Sequence, residues 1–358
     1  MTRNLLLVGT RKGALILERG TNGAGWSVSD PLCEGWPIHD LQWDPTTSSI
    51  YAGGGSAWFG PAVFRSDDLG KTWSHSSEGM TYGDDGPKIP TVWNVTPANG
   101  SIYAGVEPAG LFRSDDGGKT WGHVSALRDH PSRENPGWSP GAGGLICHTI
   151  VPHPTDAARM WVAISAVGTF ATEDGGATWE ARNQGVVDCN SPNPHPETGQ
   201  CVHKLVMAAG EPDSLYQQNH CGVYRSADGG ASWTDISKGL PSEFGFVMGA
   251  HPRDAATAWV IPLSHPAEGR IAPDGALAVW RTKDRGDSWE RQDNGLPQEH
   301  AFVGVLREAM AVDRNDPAAV YFGTSTGQLY GSSDEGESWN LVADHLPPIW
   351  GVEAVTVD

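Results

Sequence analysis

Five polar side chains recur at corresponding places in this sequence, each at one end of a short apolar segment. His39, His148 and His203 stand at the start of such a segment, and Glu107 and His220 stand at the end of one. Neutral imidazoles with one carboxylate suit Zn²⁺, Mn²⁺ or Fe²⁺, and a bound ion with an open position activates water. If folding brings these five side chains together, they predict a divalent metal site.

Other interpretations of the same positions stay open. Glu107, His148, His203 and His220 are the candidate catalytic residues, either as metal ligands or as acid–base groups without a metal. The same side chains would also suit the polar lining of a water-filled channel. Side chains beside these positions are candidates for substrate binding as stacking walls, cationic contacts or amide contacts: Trp58, Trp93, Arg11, Lys12, Gln218 and Asn219.

Cysteines lie close to three of the histidines. In an extended strand Cys201 and His203 share a face, so the Cys201 thiolate is a candidate for a further ligand, whereas an inert buried thiol is the alternative. The five cysteines form a sparse, odd set, which is a poor disulfide framework and fits a cytoplasmic protein. Cys189 and Cys201 bracket one loop and are the candidate pair if the protein is oxidised, and the sequence leaves open whether they pair.

An eight-residue pattern that occurs six times indicates the elements that position these side chains. Its consensus is S/T-x-D-x-G-x-S/T-W, its first copy is Ser66 to Trp73, and its tryptophans are 48 to 58 residues apart. Spacings of this size are typical of stacked supersecondary units. Each copy joins two β-like segments, so it predicts a turn in which the aspartate and the hydroxyl side chains bind backbone N–H groups. The repeated aspartates are therefore expected to stabilise turns and not to catalyse: Asp68, Asp116, Asp174, Asp228, Asp284 and Asp334.

The repeat predicts an all-β fold. An x-Pro turn precedes each copy, which gives four antiparallel strands, A to D, in about 50 residues, as in a β-propeller blade. Residues 4–28 supply strands B to D and residues 349–357 supply a lone strand A. We therefore predict one domain over residues 1–358, a seven-bladed β-propeller whose last blade is closed by both ends of the chain. In a propeller the starts of the A strands and the ends of the B strands meet at one mouth of the channel, where the loops 122–146, 180–201 and 264–277 would also lie.

The six motifs resemble the Asp-box, or BNR, repeat of the sialidase-like superfamily. That repeat is shared by sialidases, xyloglucanase-type glycosidases, sortilin-type receptors and a photosystem assembly factor. Over nearly its whole length the chain most resembles a large bacterial group of sialidase-like propellers, mostly without an established activity. The resemblance implies a propeller whose repeated turns lie opposite the active site, and it is compatible with enzymes and non-enzymes. Sialidase activity itself is not expected, because the Arg-Ile-Pro element of sialidases does not occur in this sequence.

The net charge argues against two kinds of binding partner. The formal charge is −19, from 43 acidic and 24 basic side chains, which argues against nucleic acid or an anionic membrane as partner. No nucleotide cofactor is expected. The sequence predicts a small-molecule-binding enzyme of the hydrolase or lyase type. The alternatives are a non-catalytic interaction or assembly scaffold with a protein partner, and a glycoside hydrolase of the sialidase or xyloglucanase type with two acids about 5–10 Å apart.

Overall fold

The computed structural model describes residues 3–20 and 25–357, whose regular secondary structure is almost entirely β-strand. In chain order the strands are β1 (Arg3–Thr10), β2 (Gly13–Arg19), β3 (Trp26–Val28), β4 (Ile38–Asp44), β5 (Ser49–Ser56), β6 (Gly60–Ser66), β7 (Ser74–Ser76), β8 (Thr91–Ala98), β9 (Ser101–Glu107), β10 (Gly110–Ser114), β11 (Gly122–His123), β12 (Cys147–Pro152), β13 (Met160–Ile164), β14 (Gly168–Thr172), β15 (Glu180–Ala181), β16 (Val202–Met207), β17 (Leu215–Asn219), β18 (Gly222–Ser226), β19 (Thr234–Asp235), β20 (Gly245–Ala250), β21 (Ala258–Pro262), β22 (Val279–Thr282), β23 (Glu290–Gln292), β24 (Met310–Val312), β25 (Val320–Gly323), β26 (Leu329–Ser332), β27 (Asn340–Ala343) and β28 (Ile349–Val357).

Helices are few and short. The helix α1 (Ser125–Arg128) has one turn, and short 3₁₀ helices span Cys33–Gly35, Pro131–Arg133, Pro266–Glu268 and Pro273–Gly275. Within the described ranges, no helix combines the length and the apolar character needed to cross a bilayer. The predicted domain limits, residues 1 and 358, lie outside the described residues.

Sequential strands pair antiparallel into sheets that follow one another along the chain. Five of the described sheets have four strands each, and four of these consist of consecutive strands, namely β12 to β15, β16 to β19, β20 to β23 and β24 to β27. The runs β4 to β7 and β8 to β11 are joined into one eight-stranded sheet by a single residue pair, Gly55 with Thr91. The first strands of the runs contact one another in a closed cycle, β28–β4–β8–β12–β16–β20–β24–β28. The predicted all-β propeller is thereby confirmed, while the count of seven blades stays a prediction.

Both ends of the described chain meet in one four-stranded sheet. Its order is β28–β1–β2–β3, and β28 pairs with β1 from Arg3 opposite Val357 to Thr10 opposite Ile349. The apolar run Leu5 to Val8 in β1 is at most 2% exposed, because the strand is covered on both faces. Burying side chains of this size stabilises the fold by about 1.5–3 kcal/mol each. This pairing gives β1 a partner strand on both sides, β28 and β2, and places β28 in the cycle of inner strands between β24 and β4.

The repeated turns use their aspartates for local hydrogen bonds. In the first copy Asp68 Oδ1 accepts from the Thr72 amide at 2.9 Å, and Oδ2 accepts from the Thr72 hydroxyl at 2.7 Å. The Ser66 hydroxyl donates to Asp68 and accepts from the Gly70 amide at 2.8 Å. The same set recurs at Asp116, Asp174, Asp228, Asp284 and Asp334. The bond from Thr72 lowers the pKa of Asp68 to about 2, so this carboxylate serves the turn.

Candidate metal and acid–base site at the start of strand β16

A β-bulge stands at or next to the start of each inner strand that carries a predicted site residue. In β16, Val202 pairs with Asn219 and Lys204 pairs with Gln218, so His203 is left without a partner in the register. The same shift leaves out His39 in β4, Trp93 in β8 and His148 in β12. A bulge bends the strand and re-aims the unpaired residue. Four of the positions that the sequence singled out, at the starts of the inner strands, are therefore places at which the ladder is interrupted.

Three side chains come within metal-ligand range of one another at the start of β16. One ligand atom each from Cys201, His203 and His220 lies within 4.8 Å of the other two, and we call this set the Cys201 cluster. Cys201 precedes β16 and His220 follows β17, and the pairing of these strands brings them side by side, with the His220 amide donating to the Cys201 carbonyl at 2.9 Å. The two imidazole rings meet edge to face, with their centroids 5.6 Å apart.

The hydrogen bonding of His203 leaves one nitrogen free. Its Nδ1 lies 2.6 Å from the carbonyl oxygen of Gly245, which is an acceptor only, so Nδ1 carries the proton of the neutral ring. Nε2 then keeps its lone pair and lies 3.5 Å from Cys201 Sγ. Burial and the charge of Arg307 hold the pKa of His203 well below its usual value, so the ring is neutral near pH 7. A backbone carbonyl on the remote nitrogen is the arrangement that orients metal-binding imidazoles in proteins.

An aromatic wall and two guanidinium groups adjoin the cluster. The ring centroid of Phe246 lies 4.6 Å from that of His203, and the centroid of Phe244 lies 5.1 Å from that of His220. Arg307 Cζ lies 5.2 Å from the Phe246 centroid, and Arg270 Cζ lies 6.0 Å from the Phe244 centroid. Burial raises the pKa of the Cys201 thiol, and the positive charges of the two arginines oppose this shift.

These arginines have no carboxylate partner within 4.0 Å in the described ranges, in contrast to most surface arginines of the chain. The Nε of Arg307 is enclosed and has no hydrogen-bond partner. A Cβ placed on Gly143 would lie 3.6 Å from Arg307 Nη2, so the 122–146 loop reaches this place, as its predicted position requires. Asp188 is the acidic group that faces the cluster, since its charge raises the pKa of His220 against the lowering by burial and Arg270.

His148 and His39 are buried outside the Cys201 cluster. The Nε2 of His148 donates to the Val202 carbonyl at 2.9 Å, and Nδ1 accepts from the Thr149 hydroxyl at 2.9 Å, so both nitrogens are engaged. His39 is stacked between Trp93 and Trp350, with centroid distances of 4.0 and 4.5 Å, and its Nδ1 has no partner. Burial lowers the pKa of His39 to about 3, which makes this ring neutral.

The other predicted residues are dispersed. Glu107 accepts from the Trp93 indole at 3.1 Å and does not join the cluster. The buried amide of Gln218 donates to the carbonyls of Asn219, Gly222 and Glu243, and Asn219 accepts from the His220 amide at 3.1 Å, so both hold the β17–β18 turn. Of the predicted substrate-binding side chains, three are exposed at the surface, namely Trp58, Arg11 and Lys12.

Several charged side chains lie together on or next to the inner strands near His203, and the sequence pattern did not indicate this cluster. Lys204 forms an ion pair with Glu308, and Glu308 Oε1 is enclosed without a partner. Asp40 accepts from the Asn94 amide at 2.8 Å, and burial followed by the Glu308 charge raises its pKa well above the usual value. Burial also raises the pKa of Glu353 to about 7, with Lys204 opposing and Glu308 adding to the shift. Perturbed carboxyl groups of this kind are typical of functional sites.

The candidate pairing of Cys189 with Cys201 does not form. Cys189 forms a disulfide with Cys221, not with Cys201, and their Cα atoms are 6.2 Å apart. Cys201 is a free thiol. The reason is spatial, because the β17–β18 turn brings Cys221 next to the 180–201 loop although 32 residues separate the pair along the chain.

Comparisons with known proteins support the fold. No protein-family profile matches the chain, and no curated protein matches it by sequence. The structure is similar to the GH74 enzyme of Niastella koreensis, with a TM-score of 0.57 and 15% identity over 98% of this chain and 66% of that chain. It is similar to YCF48 bound to D1 peptide, with a TM-score of 0.58 and 17% identity over 90% and 85% of the two chains. A putative 6-phosphogluconolactonase from Bacteroides uniformis gives a TM-score of 0.58 at 12% identity over 99% of both chains.

The GH74 comparisons extend beyond this chain. The chain spans 66% of the Niastella koreensis enzyme and 38% of an ancestral GH74 enzyme, which has a TM-score of 0.59 at 17% identity. At these identities the likeness concerns the fold, and function has to be argued from side chains. The chain is thus similar in fold to β-propellers that include hydrolases, and no one family is assigned to it.

Proposed function

We propose that this protein is an enzyme of the hydrolase or lyase class that acts on a small molecule at the Cys201 cluster. The observation that carries the proposal is the buried, neutral His203, whose Nε2 lone pair faces Cys201 Sγ at 3.5 Å while the Gly245 carbonyl fixes the other nitrogen. We further propose seven blades of the Asp-box type. The closed cycle of inner strands and the single residue pair inside the eight-stranded sheet support that count.

A divalent metal fits the donor set of the cluster. Two imidazoles and one thiolate are ligands of three-ligand catalytic zinc sites, in which water takes the fourth position. Among Zn²⁺, Mn²⁺ and Fe²⁺, the thiolate favours zinc and iron over manganese. When bound, such an ion would supply an activated water for hydrolysis. Of the ligands predicted from the sequence, His203 and His220 belong to this set, whereas His39, His148 and Glu107 serve other contacts.

The surrounding residues select the substrate in this proposal. The guanidinium groups of Arg307 and Arg270 are free to bind a carboxylate or phosphate, because neither is paired with a protein carboxylate. Phe244 and Phe246 cover the apolar side and keep water from the reacting group. His203 keeps its ring neutral and its Nδ1 fixed, so its Nε2 is available as a ligand or, without a metal, as a general base.

Metal content is the first test. Protein purified without a histidine tag should contain close to one equivalent of zinc or iron, or should take up added Zn²⁺ with that stoichiometry, measured by inductively coupled plasma mass spectrometry. Hydrolysis should then be assayed on a panel of chromogenic esters, lactones and phosphoesters with and without a chelator. Protein that neither contains nor binds a divalent ion would overturn the metal proposal.

Single variants identify the ligands. His203→Ala should remove the metal, with an affinity loss of at least 10–100-fold. His148→Ala is the matched control for a buried histidine on an inner strand, because both nitrogens of His148 are already hydrogen-bonded. His345→Ala controls for an exposed imidazole, since this side chain is 93% exposed. Equal metal loss in His148→Ala and His203→Ala would contradict the assignment.

An interaction scaffold is the second candidate, and exposed aromatic side chains favour it. Trp58 is 90% exposed and Phe59 is 46% exposed at the β5–β6 turn, where Phe59 stacks on Trp36 with a centroid distance of 4.7 Å. YCF48, which has the same fold, has been solved bound to D1 peptide. The scaffold predicts that a protein partner binds the His148→Ala/His203→Ala double variant as well as the wild type. Loss of that binding in Trp58→Ala would favour the scaffold.

Glycoside hydrolysis is the third candidate, favoured by the buried carboxyl groups. The charge of Glu308 raises the pKa of both Asp40 and Glu353, and Glu353, with its pKa near 7, has the property required of a general acid. The test is the cleavage of aryl glycosides or xyloglucan oligosaccharides. If Glu353→Gln abolishes this cleavage and His203→Ala leaves it unchanged, the activity resides at these acids and not at the Cys201 cluster.

A further inference from the structure

The Cys189–Cys221 disulfide adjoins the Cys201 cluster through one shared residue. His220 immediately precedes Cys221, and ligand atoms of Cys189, His220 and Cys221 all lie within 4.8 Å of one another. His220 thus belongs to two sets of potential ligands, one with Cys201 and His203 and one with the two cysteines of the disulfide. As long as the disulfide is intact, the second set offers no thiolate.

The two sulfur atoms would stay close together after reduction, because other contacts hold the loop. The Tyr224 hydroxyl donates to the Cys221 carbonyl at 2.6 Å and accepts from the Val187 amide at 3.3 Å, which ties the 180–201 loop to the β17–β18 turn. The Asp188 amide donates to the Pro194 carbonyl at 2.9 Å and closes the loop on itself. These bonds do not involve sulfur, so they persist in the dithiol.

A reductant can reach the disulfide from one side. Cys189 is exposed, whereas Cys221 is 7% exposed. Attack by an external thiolate on the accessible sulfur releases the partner as a thiolate, and a dithiol reductant completes the exchange. Two electrons and two protons are transferred, giving two protein thiols and an oxidised, cyclic reductant. Binding of a divalent ion then displaces both thiol protons.

We propose that Cys189, Cys221 and His220 form a second metal site, which exists only when the disulfide is reduced and which takes a thiophilic divalent cation such as Zn²⁺. Two thiolates and one imidazole are ligands typical of zinc. A neutral imidazole has one lone pair, so the second site competes with the Cys201 cluster for His220. Reduction therefore moves His220 to the dithiol set, and the redox state of the pair decides which site holds the metal.

The inference rests on the proposed function only in sharing His220, and Co²⁺ titration tests the two separately. Co²⁺ replaces Zn²⁺ as a probe because thiolate ligands give a charge-transfer absorbance. Oxidised wild type should show the signal of one thiolate, from Cys201. After the protein has been reduced and the dithiol reductant removed, the absorbance per bound cobalt should rise about twofold, because two thiolates replace one as ligands.

Two variants assign each signal. Cys189→Ser/Cys221→Ser should keep the one-thiolate signal and lose the response to reduction, and retained near-ultraviolet circular dichroism would show that it folds. Cys201→Ser should lose the oxidised signal and keep the reduced one. A wild type whose cobalt absorbance does not change on reduction overturns the second site. Loss of the reduced signal in Cys201→Ser also overturns it, whereas absence of only the oxidised signal in wild type would overturn the metal at the Cys201 cluster and leave the second site intact.

Discussion

Replacing Glu353 with glutamine should stabilise this protein, and the gain should depend on pH. Burial raises the pKa of Glu353 from its usual 4.5 to about 7, with the charge of Glu308 adding to the shift and Lys204 and Arg314 opposing it. The native state therefore holds a proton on this carboxyl group at pH values at which the unfolded chain has lost it. Glutamine keeps the shape of the side chain and carries no charge to bury.

The size of the effect follows from the difference between the two pKa values. A pKa that is higher in the native state makes stability fall as the pH rises from about 4.5 to about 7, because the native state binds more protons in that window. A difference of about 2.5 pKa units corresponds to about 3 kcal/mol once both states are ionised. Glu353→Gln should thus raise the free energy of unfolding by up to about 3 kcal/mol at pH 8, and by roughly 0.5 kcal/mol at pH 4.5.

Guanidinium chloride unfolding followed by tryptophan fluorescence measures this difference. Variant and wild type are compared at pH 8 and at pH 4.5, so that other titrating groups, Asp40 among them, contribute to both proteins. Glu299→Gln is the control, because it makes the same chemical change at an exposed position and should alter stability by no more than about 0.5 kcal/mol. A loss of stability at pH 8, or a gain of equal size at both pH values, would refute the reasoning.

Four further variants test the buried ion pair, the repeated turn and the contact between sheets. Lys204→Met should lower the free energy of unfolding by about 3–5 kcal/mol in chemical denaturation, because it leaves Glu308 as an uncompensated buried charge, and Lys204→Met/Glu308→Leu should recover part of the loss. Asp334→Ala removes the acceptor of three hydrogen bonds in its turn and should cost about 1 kcal/mol or more by the same assay, and an unchanged midpoint would contradict its structural role. Gly185→Ala should lower the thermal midpoint by several degrees, since Gly185 has a φ of +94° and its Cβ would lie 2.3 Å from the Trp233 carbonyl oxygen; an unchanged midpoint in a thermal scan would speak against this close contact.

The features that the sequence predicts well are those set by short-range chemistry. Each copy of the eight-residue pattern contains the acceptor, the donor and the glycine of its own turn, as Asp68, Thr72 and Gly70 do, so no distant contact is needed to form it. The strands on either side follow from these turns. The joining of residues 3–10 to residues 349–357 follows as well, because an inner strand without a partner would leave an open edge.

The features that the sequence did not reveal are contacts between different sheets. Lys204 and Glu308 are 104 residues apart along the chain, and their pairing depends on how β16 and β24 face each other across the inner cycle. Arg307 precedes β24 in a segment without regular pairing, so no alternation marks its direction. The Cys189–Cys221 pair likewise depends on the path of a loop that contains no repeat.

The two buried histidines His148 and His203 occupy equivalent positions in the fold but differ in their hydrogen bonds, which the sequence does not predict. Both occupy a bulge at the start of an inner strand, and both donate one ring N–H to a backbone carbonyl of the next sheet. In His148, Nε2–H donates to the carbonyl, and Nδ1 accepts from the adjacent Thr149 hydroxyl. In His203, Nδ1–H donates to the carbonyl, and Nε2 is left to face Cys201. Whether a histidine at this position keeps a nitrogen that a ligand could use is therefore decided by which of its nitrogens the neighbouring groups reach, and the residue type does not encode that.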